Sequence, residues 1–354
     1  MILDTIEYLI VGGGIAGLST AAALAERGVS SIALLDRELV PGFYASGHNA
    51  GIARSLTGRI EHSRLAVEGR AALSALGLLD PTGGALLAME PSKLDALEAE
   101  GEALGVEVHR QDGGGEGLQA ASRLTIPGDG VIDIHGLLGA CARRAREGGA
   151  MLRYGCSVKR IQADENGFTV ETEGRTFRAN TLINAAGAWA SEVGRMACGL
   201  DLALKPMRRH LAWSDHPFPG GPWAWWVDRP FYVRAESGGT LMCPCDEDES
   251  PLPSPGRQPD SEPSRLEPLA GLTAALAPSL ADASLVRAWS GLRTFSPDRR
   301  FVLGWDPVNP RLFWAAGLGG HGMTTGLAVG RLAAKLLMDG GEHELSPRRF
   351  AAKS

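Results

Sequence analysis

The feature that most constrains the fold is a glycine-rich turn near the start of the chain, between an apolar strand and a helix. The apolar run Ile6 to Val11 leads into a Gly-x-Gly-x-x-Gly motif at Gly12, Gly14 and Gly17, and an alanine-rich helix former follows as far as Arg27. In such a unit the glycines allow the tight turn, the approach of a pyrophosphate and the close packing of helix on strand. The pyrophosphate lies at the helix N-terminus, against unpaired N–H groups and the positive end of the helix dipole.

A carboxylate stands where the ribose of a dinucleotide is expected. The second apolar strand, Ile32 to Leu35, ends in Asp36, nineteen residues after Gly17. An acid at this point accepts hydrogen bonds from ribose hydroxyls and disfavours NADP, because it repels a 2′-phosphate. A glycine turn that binds no nucleotide is the less favoured interpretation, since strand, glycines, helix and acid all agree. The start of the chain therefore predicts a site for NAD or FAD.

Composition narrows the class of protein. The length of 354 residues suggests roughly two domains. A net charge of −6 and the absence of a basic cluster argue against nucleic acid as a partner. No apolar run approaches the roughly 20 residues that span a bilayer, and the first strand begins too early to leave room for a signal peptide. We therefore expect a cytoplasmic protein with no transmembrane segment.

The cysteines indicate neither a disulfide framework nor a metal site. Five are scattered along the chain, and only Cys243 and Cys245 lie close together, with no His or Cys partner at zinc-like spacing. Reduced cysteines are the favoured interpretation, and no bound metal is expected. A redox role for the Cys243-Pro-Cys245 pair is the alternative.

A second strand–loop–helix unit stands near the C-terminus. The apolar strand from Leu312 runs into a glycine loop, 317–322, and then a helix former, which sets another helix N-terminus against an electron-rich group. The chain is thus expected to finish at its C-terminus the domain that its N-terminus begins. Between the two units, 133–147 predicts an amphipathic helix and 151–178 an antiparallel meander. The loops 111–117 and 243–268 are expected in surface insertions of a second domain.

Five motifs, in one order, cover nearly the whole chain. They are the N-terminal glycines with Asp36, Ala45-Ser-Gly-His-Asn-Ala-Gly51, Ile183-Asn-Ala-Ala-Gly-Ala-Trp189, Trp289-Ser-Gly-Leu-Arg293 and Gly317-Leu-Gly-Gly-His-Gly322. With this set the chain resembles the FAD-dependent D-amino-acid oxidase superfamily. Within that superfamily it is most similar to glycine oxidase and to D-arginine dehydrogenase-like enzymes.

The resemblance implies an α/β fold of the GR2 type. A Rossmann-like FAD-binding domain would comprise 1–75, 129–199 and 286–354. A second, α+β substrate domain, built on a mixed or antiparallel sheet that roofs the flavin ring, would comprise 76–128 and 200–285.

The resemblance also implies where FAD would lie. The first glycine turn would hold the pyrophosphate, Asp36 the adenosine ribose and Val158 the adenine, while 46–52 and 319–324 would line the flavin. N–H groups of the second loop would stabilise negative charge at the flavin N1–C2=O2 edge. The cofactor-binding candidates are Gly12, Gly14, Ile15, Ala16, Gly17, Asp36, Arg37, Ser46, Gly47, His48, Asn49, Ala50, Gly51, Ile52, Val158, Ala186, Gly187, Trp189, Gly317, Gly319, Gly320, His321, Gly322, Met323 and Thr324.

We expect this FAD to be bound noncovalently. Some relatives attach flavin through a histidine in the first flavin loop, but the pattern around His48 differs from theirs. Others attach it through a cysteine close to where Ser290 and Gly291 stand, and neither residue can form that bond.

The candidate catalytic residues are Tyr232, Arg293, Ile52 and Gly320. By the resemblance, Arg293 and Tyr232 would clamp a substrate carboxylate, because a guanidinium binds it in bidentate fashion and a phenol adds a donor. An Arg paired with a surface acid and a Tyr packed in a sheet are the structural alternatives. Ile52 and Thr57 stand where D-arginine dehydrogenase-like enzymes carry His and Tyr, so recognition of a long cationic side chain is not expected.

Several further residues are left open by the sequence. Arg208 and Arg209 lie on a strand that can face the pocket. Four tryptophans either form an apolar wall of that pocket or serve as ordinary core or interface residues: Trp213, Trp223, Trp225 and Trp226.

The resemblance implies oxidation of the C–N bond of a small amino acid or secondary amine to an imine, by hydride transfer to flavin N5. The electron acceptor that reoxidises the flavin would be oxygen or a quinone. A flavin-dependent 2-hydroxy acid dehydrogenase and a noncatalytic flavin-binding subunit of a complex are the alternatives. The sequence gives no indication of the oligomeric state.

Overall fold

The computed structural model describes residues 5–115, 117–218 and 221–351. Twenty strands and seven α-helices form within these ranges. The strands are β1 Thr5–Val11, β2 Ile32–Leu35, β3 Ile52–Ala53, β4 Leu79–Asp80, β5 Gly84–Ala88, β6 His109–Asp112, β7 Ser122–Ile126, β8 Gly130–Ile132, β9 Met151–Arg153, β10 Val158–Asp164, β11 Gly167–Thr172, β12 Arg175–Asn184, β13 Lys205–Ser214, β14 Trp223–Trp226, β15 Phe231–Glu236, β16 Gly239–Cys243, β17 Asp248–Glu249, β18 Arg287–Phe295, β19 Val302–Trp305 and β20 Leu312–Ala316. The helices are α1 Ile15–Glu26, α2 Ile60–Ala75, α3 Asp95–Leu104, α4 Ile134–Glu147, α5 Ala190–Met196, α6 Pro268–Leu276 and α7 Gly322–Asp339.

The first sheet joins strands from both ends of the chain. β9, β2, β1, β12 and β20 lie side by side in parallel, and β19 closes the edge antiparallel to β20. β10 and β11 form an antiparallel extension on the first half of β12, whose second half pairs with β20. The chain therefore returns to complete the sheet that β1 begins, as predicted from its C-terminal glycine loop.

The centre of this sheet is buried on both faces, which explains the apolar strands. Leu9 and Ile10 on β1 are both fully buried but point to opposite faces. Ile10 packs in a core formed with helices α1, α4 and α7, and Leu9 in a core that includes α5. Helix α1 begins at Ile15 and ends one residue before Arg27, in agreement with the predicted helix.

Glycines allow the helices on this sheet to approach closely. A Cβ on Gly330 of α7 would lie 2.5 Å from the backbone of Ser19 on α1. A Cβ on Gly69 of α2 would lie 2.0 Å from the carbonyl oxygen of Thr324. Because α7 is held in this way on two sides, the position of its N-terminus is fixed relative to α1.

The second sheet carries nine strands, mostly antiparallel, in the order β17-β13-β16-β15-β14-β5-β7-β6, with β18 also paired to β13. β18 runs antiparallel to β13 from Lys205 opposite Phe295 to Trp213 opposite Arg287. The Trp289–Arg293 motif, in a segment predicted for the FAD-binding domain, is therefore part of a strand of the second sheet. The division of the chain into two domains stays a prediction. β3, β8 and β4 form a small third sheet.

Two loops, 46–52 and 317–322, are hydrogen-bonded directly to the second sheet. Arg234 on β15 donates from Nε to the carbonyl oxygen of Ala50 at 2.5 Å, and Gly319 N donates to the carbonyl oxygen of Thr294 on β18 at 3.1 Å. The two glycine-containing loops thus lie between the sheets. No helix in the described ranges is long and apolar enough to cross a membrane.

Candidate cofactor and substrate site

The N-terminus of α1 opens onto a cavity. Gly14 caps the helix, and Ser46 Oγ accepts the N–H of the first helical residue at 3.0 Å. The following N–H groups of the first turn have no partner within the helix. A Cβ on Gly12 would lie 2.3 Å from the carbonyl oxygen of Ala185, and one on Gly17 would lie 2.0 Å from that of Gly12. These two glycines are thus required for packing, whereas Gly14 faces the cavity.

Asp36 ends β2 beside the same turn. Its Oδ2 accepts the N–H of Gly13 at 2.5 Å and its Oδ1 accepts that of Glu38 at 2.7 Å. Burial raises its pKa, and the two backbone hydrogen bonds oppose that rise. The carboxylate borders a cavity, so the remaining lone pairs are available to hydroxyl donors, as a ribose requires.

An aromatic and cationic wall stands next to Asp36. The guanidinium of Arg37 lies 3.8 Å from the ring centroid of Trp189, and the Tyr44 ring lies 4.5 Å from that of Trp189. The Tyr44 hydroxyl donates to Glu38 Oε1 at 2.7 Å, and burial raises the Tyr44 pKa to about 12. Aromatic rings with a guanidinium suit contact with a planar base, and Val158 borders the same cavity.

Residues 250–262 form a segment without helix or strand, which we call the covering segment. Hydrogen bonds hold it against the Asp36 end of the site. Gly256 N donates to Glu38 Oε2 at 3.1 Å, and Gln258 Nε2 donates to the carbonyl oxygen of Phe43 at 2.6 Å. Ser290 Oγ on β18 donates to the carbonyl oxygen of Pro259 at 2.9 Å. The sequence predicts the irregular backbone of this stretch, but not its contacts with the cofactor side.

The loop between β20 and α7 borders the other end of the cavity. Gly319 and Gly320 have φ angles of +51° and +91°, a backbone conformation that favours glycine. A Cβ on Gly320 would lie 2.8 Å from Cδ of Arg293, so the absence of a side chain lets Arg293 pass beneath the loop. The N–H groups of Gly322 and Met323, in the first turn of α7, have no partner within the helix.

The 46–52 loop is fixed by its own side chains. Asn49 Oδ1 accepts the N–H of Gly51 at 2.9 Å, and Asn49 Nδ2 donates to the carbonyl oxygen of Ser46 at the same distance. A Cβ on Gly291 would lie 2.7 Å from the carbonyl oxygen of His48, so β18 touches this loop. Burial lowers the pKa of His48.

Two adjoining cavities join these parts into one trough. The cavity at Asp36 measures about 460 Å³ and the cavity at Arg293 about 410 Å³, and both are lined by Gly14, Ser46 and Gly187. Every predicted cofactor-binding residue borders one of them except Gly17 and Gly47. Gly17 packs α1 on the strand. Gly47 does not line the flavin side as predicted, because its α-carbon faces the backbone of Gly42, where a Cβ would lie 2.7 Å from the carbonyl oxygen.

The predicted catalytic residues Tyr232, Arg293, Ile52 and Gly320 all border the second cavity. Burial lowers the pKa of Arg293 to about 10, so its guanidinium is charged at neutral pH. Its Nε is buried without a hydrogen-bond partner in the described residues. Burial raises the pKa of Tyr232, so the phenol is protonated and can donate. Both residues are therefore able to bind a carboxylate; their roles stay a prediction.

An acid that carries no sequence motif binds three arginines at this cavity. Glu247 Oε1 accepts from Arg293 Nη2 at 2.7 Å and from Arg209 Nη2 at 3.2 Å, and Glu247 Oε2 accepts from Arg299 Nη2 at 2.5 Å. Its pKa is lowered: burial opposes the shift, and the charges of these arginines outweigh it. Glu247 lies in the irregular stretch after β16, where the sequence predicts only a surface loop.

The structure shows which of the undecided arginines and tryptophans border the cavity. Arg209 borders the cavity, whereas Arg208 points away and bonds Glu262 and the carbonyl oxygen of Asp260. Of the four tryptophans only Trp225 borders the cavity, 4.5 Å from the Tyr232 ring. Trp223 and Trp226 are buried in the core, so the core interpretation is right for these two, whereas Trp213 is half-buried on β13 with the guanidinium of Arg287 5.1 Å from its ring centroid.

Cys243 and Cys245 lie behind Tyr232. Cys243 is opposite Tyr232 in the sheet, and its Sγ accepts the N–H of Cys245 at 3.3 Å. Burial acts to raise the pKa of Cys243, but hydrogen bonding to Cys245 and the charge of Arg209 lower it to about 7. Each of the five cysteines, all in the described ranges, is a free thiol, and no group of potential metal ligands is found in those ranges.

Two histidines near the flavin side are held neutral. His62 stacks on Phe301 with ring centroids 3.8 Å apart, and its Nε2 accepts the N–H of Phe301 at 3.2 Å. Burial lowers the pKa of His62 to about 4. Burial also lowers the pKa of His321, and the positive charge of Arg54 adds to that effect. Neither imidazole is a base poised near neutral pH.

The residues present fit FAD. The trough runs from a ribose-binding carboxylate at Asp36, past the N-terminus of α1, to the N-terminus of α7. It provides an acidic group, a phosphate cradle and a row of N–H donors in the order that adenosine, pyrophosphate and flavin require. Glycines at which a side chain would strike backbone, such as Gly12 and Gly17, let the elements that border the trough pack closely together.

The fold and this trough define a dinucleotide-binding protein whose cofactor lies between two sheets. A family model described as FAD dependent oxidoreductase matches residues 7–336, and the chain belongs to that family. The protein is thus an FAD-dependent oxidoreductase, and the predicted family, fold and cofactor are confirmed.

Individual relatives cover most of the chain. It is 28% identical to glycine oxidase of Geobacillus kaustophilus (strain HTA426) over 361 residues, which is 94% of this chain and 92% of that protein. It is 27% identical to mitochondrial dimethylglycine dehydrogenase of Mus musculus over 390 residues, 98% of this chain but only 44% of that protein. The structure of L-proline dehydrogenase from P. horikoshii superposes with a TM-score of 0.87 at 20% identity, covering 99% and 98% of the two chains, and this likeness shows the fold alone.

Proposed function

We propose that the protein oxidises the C–N bond of a small amino acid or secondary amine to an imine, which water then hydrolyses. The observation that carries the proposal is the convergence of Arg293 and Tyr232 on the cavity bordered by the 319–324 loop. A charged guanidinium and a protonated phenol both donate hydrogen bonds that can bind a carboxylate. A carboxylate is the group that all amino acids share. The names of the relatives, glycine oxidase and dimethylglycine dehydrogenase, support the same class of substrate.

In this proposal the side chains bind and orient the substrate. Arg293 and Tyr232 hold the carboxylate, so the α-carbon faces the 319–324 loop. FAD, when bound there, supplies the two-electron acceptor. Three histidines border the cavity in the described ranges, and burial lowers the pKa of His48, His62 and His321, which favours the neutral imidazole in each. The substrate therefore reacts as its free amine, and the residues contribute position and charge.

Glu247 acts in this scheme as a positioning residue. It holds one terminal nitrogen of Arg293 and offsets part of the positive charge of Arg209 and Arg299. A buried guanidinium without such a partner costs several kcal/mol, so the acid fixes Arg293 where a substrate can reach it.

A 2-hydroxy acid is the second candidate substrate class, because the same pair of donors binds its carboxylate equally well. Both reactions remove one hydrogen from the α-carbon. The second hydrogen comes from nitrogen in an amine and from oxygen in a 2-hydroxy acid. Nothing in the carboxylate clamp separates them, so the test must compare the two classes directly.

The test is anaerobic reduction of the purified flavoprotein with a panel of D- and L-amino acids, N-methyl amino acids and 2-hydroxy acids. We expect loss of the oxidised flavin absorbance with at least one amine and none with the hydroxy acids. Bleaching by hydroxy acids alone, or by no compound, contradicts the proposal. Acid precipitation of the same sample tests the noncovalent attachment, for which we expect a colourless pellet and a yellow supernatant.

A further inference from the structure

Arg54 is a second guanidinium at the substrate cavity, fixed independently of the Arg293 clamp. It follows β3, its backbone N donates to Thr324 Oγ1 at 3.4 Å, and its Nε donates to the carbonyl oxygen of Leu56 at 2.7 Å. Its guanidinium lies 4.7 Å from the ring centroid of Trp225. One edge of the guanidinium is therefore used by the backbone and one face by the indole, which leaves the terminal nitrogens to define its free edge.

That free edge has no anionic partner. Across the described ranges, no carboxylate forms an ion pair with Arg54, and its terminal nitrogens make no hydrogen bond while the side chain borders the cavity. The nearby acids are engaged elsewhere: Asp129 accepts the N–H of Ser55 at 3.1 Å, and Glu100 accepts that of Thr57 at 3.4 Å. Burial lowers the pKa of Arg54 to about 10, so the group stays charged at neutral pH.

The cavity as a whole carries more positive than negative charge. Its lining includes the guanidinium groups of Arg54, Arg59, Arg209, Arg293 and Arg299, but Glu247 is its one carboxylate within the part of the chain that the structure describes. Glu247 binds three of these arginines and does not reach Arg54. The charges of Asp129 and Glu100 act on Arg54 without an ion pair, so one substrate carboxylate at Arg293 would still leave Arg54 with no carboxylate bound to it in the cavity.

The two guanidinium groups flank one loop. Arg293 passes beneath Gly320, where a Cβ would lie 2.8 Å from its Cδ, and the backbone of Arg54 is bonded to Thr324 in the first turn of α7, which follows the same loop. Both positive charges lower the pKa of His321, which borders the same cavity. A small molecule in the cavity beside this loop can therefore meet both guanidinium groups.

We propose that Arg54 binds a second carboxylate of the substrate, so that the protein acts on an amine bearing two carboxylates: a dicarboxylic α-amino acid or a secondary amine between two carboxymethyl groups. This inference rests on the proposed amine oxidation, which it makes specific. Arg293 and Tyr232 hold the carboxylate next to the reacting carbon, and Arg54 holds the distal one against Trp225. The distal carboxylate supplies the anion that the cavity lacks.

Equilibrium binding tests this assignment apart from turnover. The holoprotein is titrated with unreactive carboxylates, acetate against malonate and succinate, by calorimetry and by perturbation of the flavin spectrum. A charge-assisted pair contributes about 1.5–3 kcal/mol, so we expect one of the dicarboxylates to bind on the order of 10-fold to 100-fold more tightly than acetate. In Arg54→Gln we expect the two affinities to become equal through loss of dicarboxylate binding, with acetate unchanged. Arg54→Lys should keep part of the preference, because it keeps the charge.

The control is Arg64→Gln, which removes an exposed arginine from α2 and should leave all affinities unchanged. Equal affinities for acetate and both dicarboxylates in the wild-type protein overturn the inference. So does an Arg54→Gln variant that loses FAD or weakens acetate and dicarboxylate alike, because the residue would then serve the cofactor or the fold.

Anaerobic flavin reduction separates this inference from the proposed function. We expect aspartate, glutamate or iminodiacetate to reduce the flavin at lower concentration than glycine or sarcosine. Reduction by glycine and sarcosine with no preference for the dicarboxylic amines overturns the inference and leaves amine oxidation intact. Failure of every amine overturns the proposed function, and the carboxylate titrations still report whether Arg54 is an anion site.

Discussion

The two ends of the trough are built from different parts of the polypeptide. At the pyrophosphate end the ligand-facing groups are backbone N–H groups, and glycines such as Gly12 keep the turn compact. At the reacting end the ligand-facing groups are long side chains, above all Arg54 and Arg293, which come from separate loops and strands. One end thus depends on backbone conformation and the other on which side chain each strand presents.

This difference separates binding of the cofactor from choice of substrate. Groups at the pyrophosphate end face a moiety common to many dinucleotides, so a change there should affect FAD content whatever the substrate. In the proposed function, groups at the reacting end face the substrate, so a change there should alter catalysis and leave the flavin in place. Substitutions at each end are therefore a direct way to test whether the two functions are separable.

The largest effect is expected for Gly12→Ala. Its Cβ would lie 2.3 Å from the carbonyl oxygen of Ala185 at a φ of +114°, so both overlap and backbone strain result. We expect loss of several kcal/mol of stability, of the order of 3 or more, and loss of bound FAD. The control is Gly28→Ala, with a φ of +88° but no atom within 4 Å of the Cβ, for which we expect a cost near 1 kcal/mol and full flavin content. The readouts are the flavin-to-protein ratio and the thermal midpoint. A flavin-loaded, stable Gly12→Ala protein would contradict the account of the turn.

The second largest effect, a loss of catalytic activity, is expected for Arg293→Met. Removal of the guanidinium should lower kcat/KM for the best amine by about 10²-fold to 10³-fold, because a buried charge-assisted contact is lost and Glu247 loses one of its three partners. Flavin content should stay that of the wild type. Arg208→Met serves as the control, since Arg208 is the half-buried neighbour of Arg209 that faces away from the cavity. Loss of FAD rather than of turnover in Arg293→Met would show that the two ends are not separable.

The sequence predicts one end of the site better than the other, for a physical reason. A site made of backbone requires glycine at fixed spacing, and that requirement is visible in the residue pattern itself at Gly12 and Gly17. Glu247 and Arg54 carry no such mark, because their roles arise only when β18, β13 and the loop after β3 meet around one cavity. Arg209 lies between these cases: its strand is evident from the sequence, but the face that it presents follows from the pairing of β13 with β18.

Prediction of the fold from the sequence is limited in the same way: local patterns are predicted, and contacts between distant segments are not. The βαβ unit and the return of the C-terminal strand to the first sheet are local patterns, and both are confirmed. The position of β18 was not predicted, because a strand of alternating residues does not report which sheet it joins. The contacts of the covering segment were missed for a similar reason: its Pro-rich composition predicts irregular backbone but not what that backbone packs against.

A smaller effect, in stability, is expected from His62 at the reacting end. Its pKa is about 4 in the folded protein and about 6.5 when unfolded, so the unfolded state binds the proton first as the pH falls. The stability that the neutral imidazole contributes is complete above about pH 6.5 and is lost progressively down to about pH 4, by up to roughly 3 kcal/mol. In His62→Gln we expect a shallower fall in unfolding free energy across this range, measured by denaturant titration. A residual slope should remain from His48, His321 and His343, whose pKa values are lowered too.

The control for this pH dependence is His109, whose exposed side chain pairs with Glu107 at the surface, so His109→Gln should retain the wild-type profile. Parallel profiles for His62→Gln and the wild type would mean that His62 is not held neutral by its environment. The cavity at Asp36 is lined by no histidine in the described ranges, so this loss of stability belongs to the reacting end.

The smallest effect is expected for Arg37→Gln at the adenine side. Arg37 stacks on Trp189, pairs with Glu38 at 3.0 Å and donates to the Tyr44 hydroxyl, without supplying a phosphate cradle or a ribose ligand. Its removal therefore loosens a wall and leaves the backbone groups in place. A cation–π contact contributes about 1 kcal/mol, so we expect FAD to bind about 5-fold more weakly on reconstitution of the deflavinated protein. The kcat and KM of the reloaded enzyme should equal those of the wild type, because the substrate lies at the other end of the trough. A change in KM with unchanged FAD affinity would reverse the assignment of the two ends.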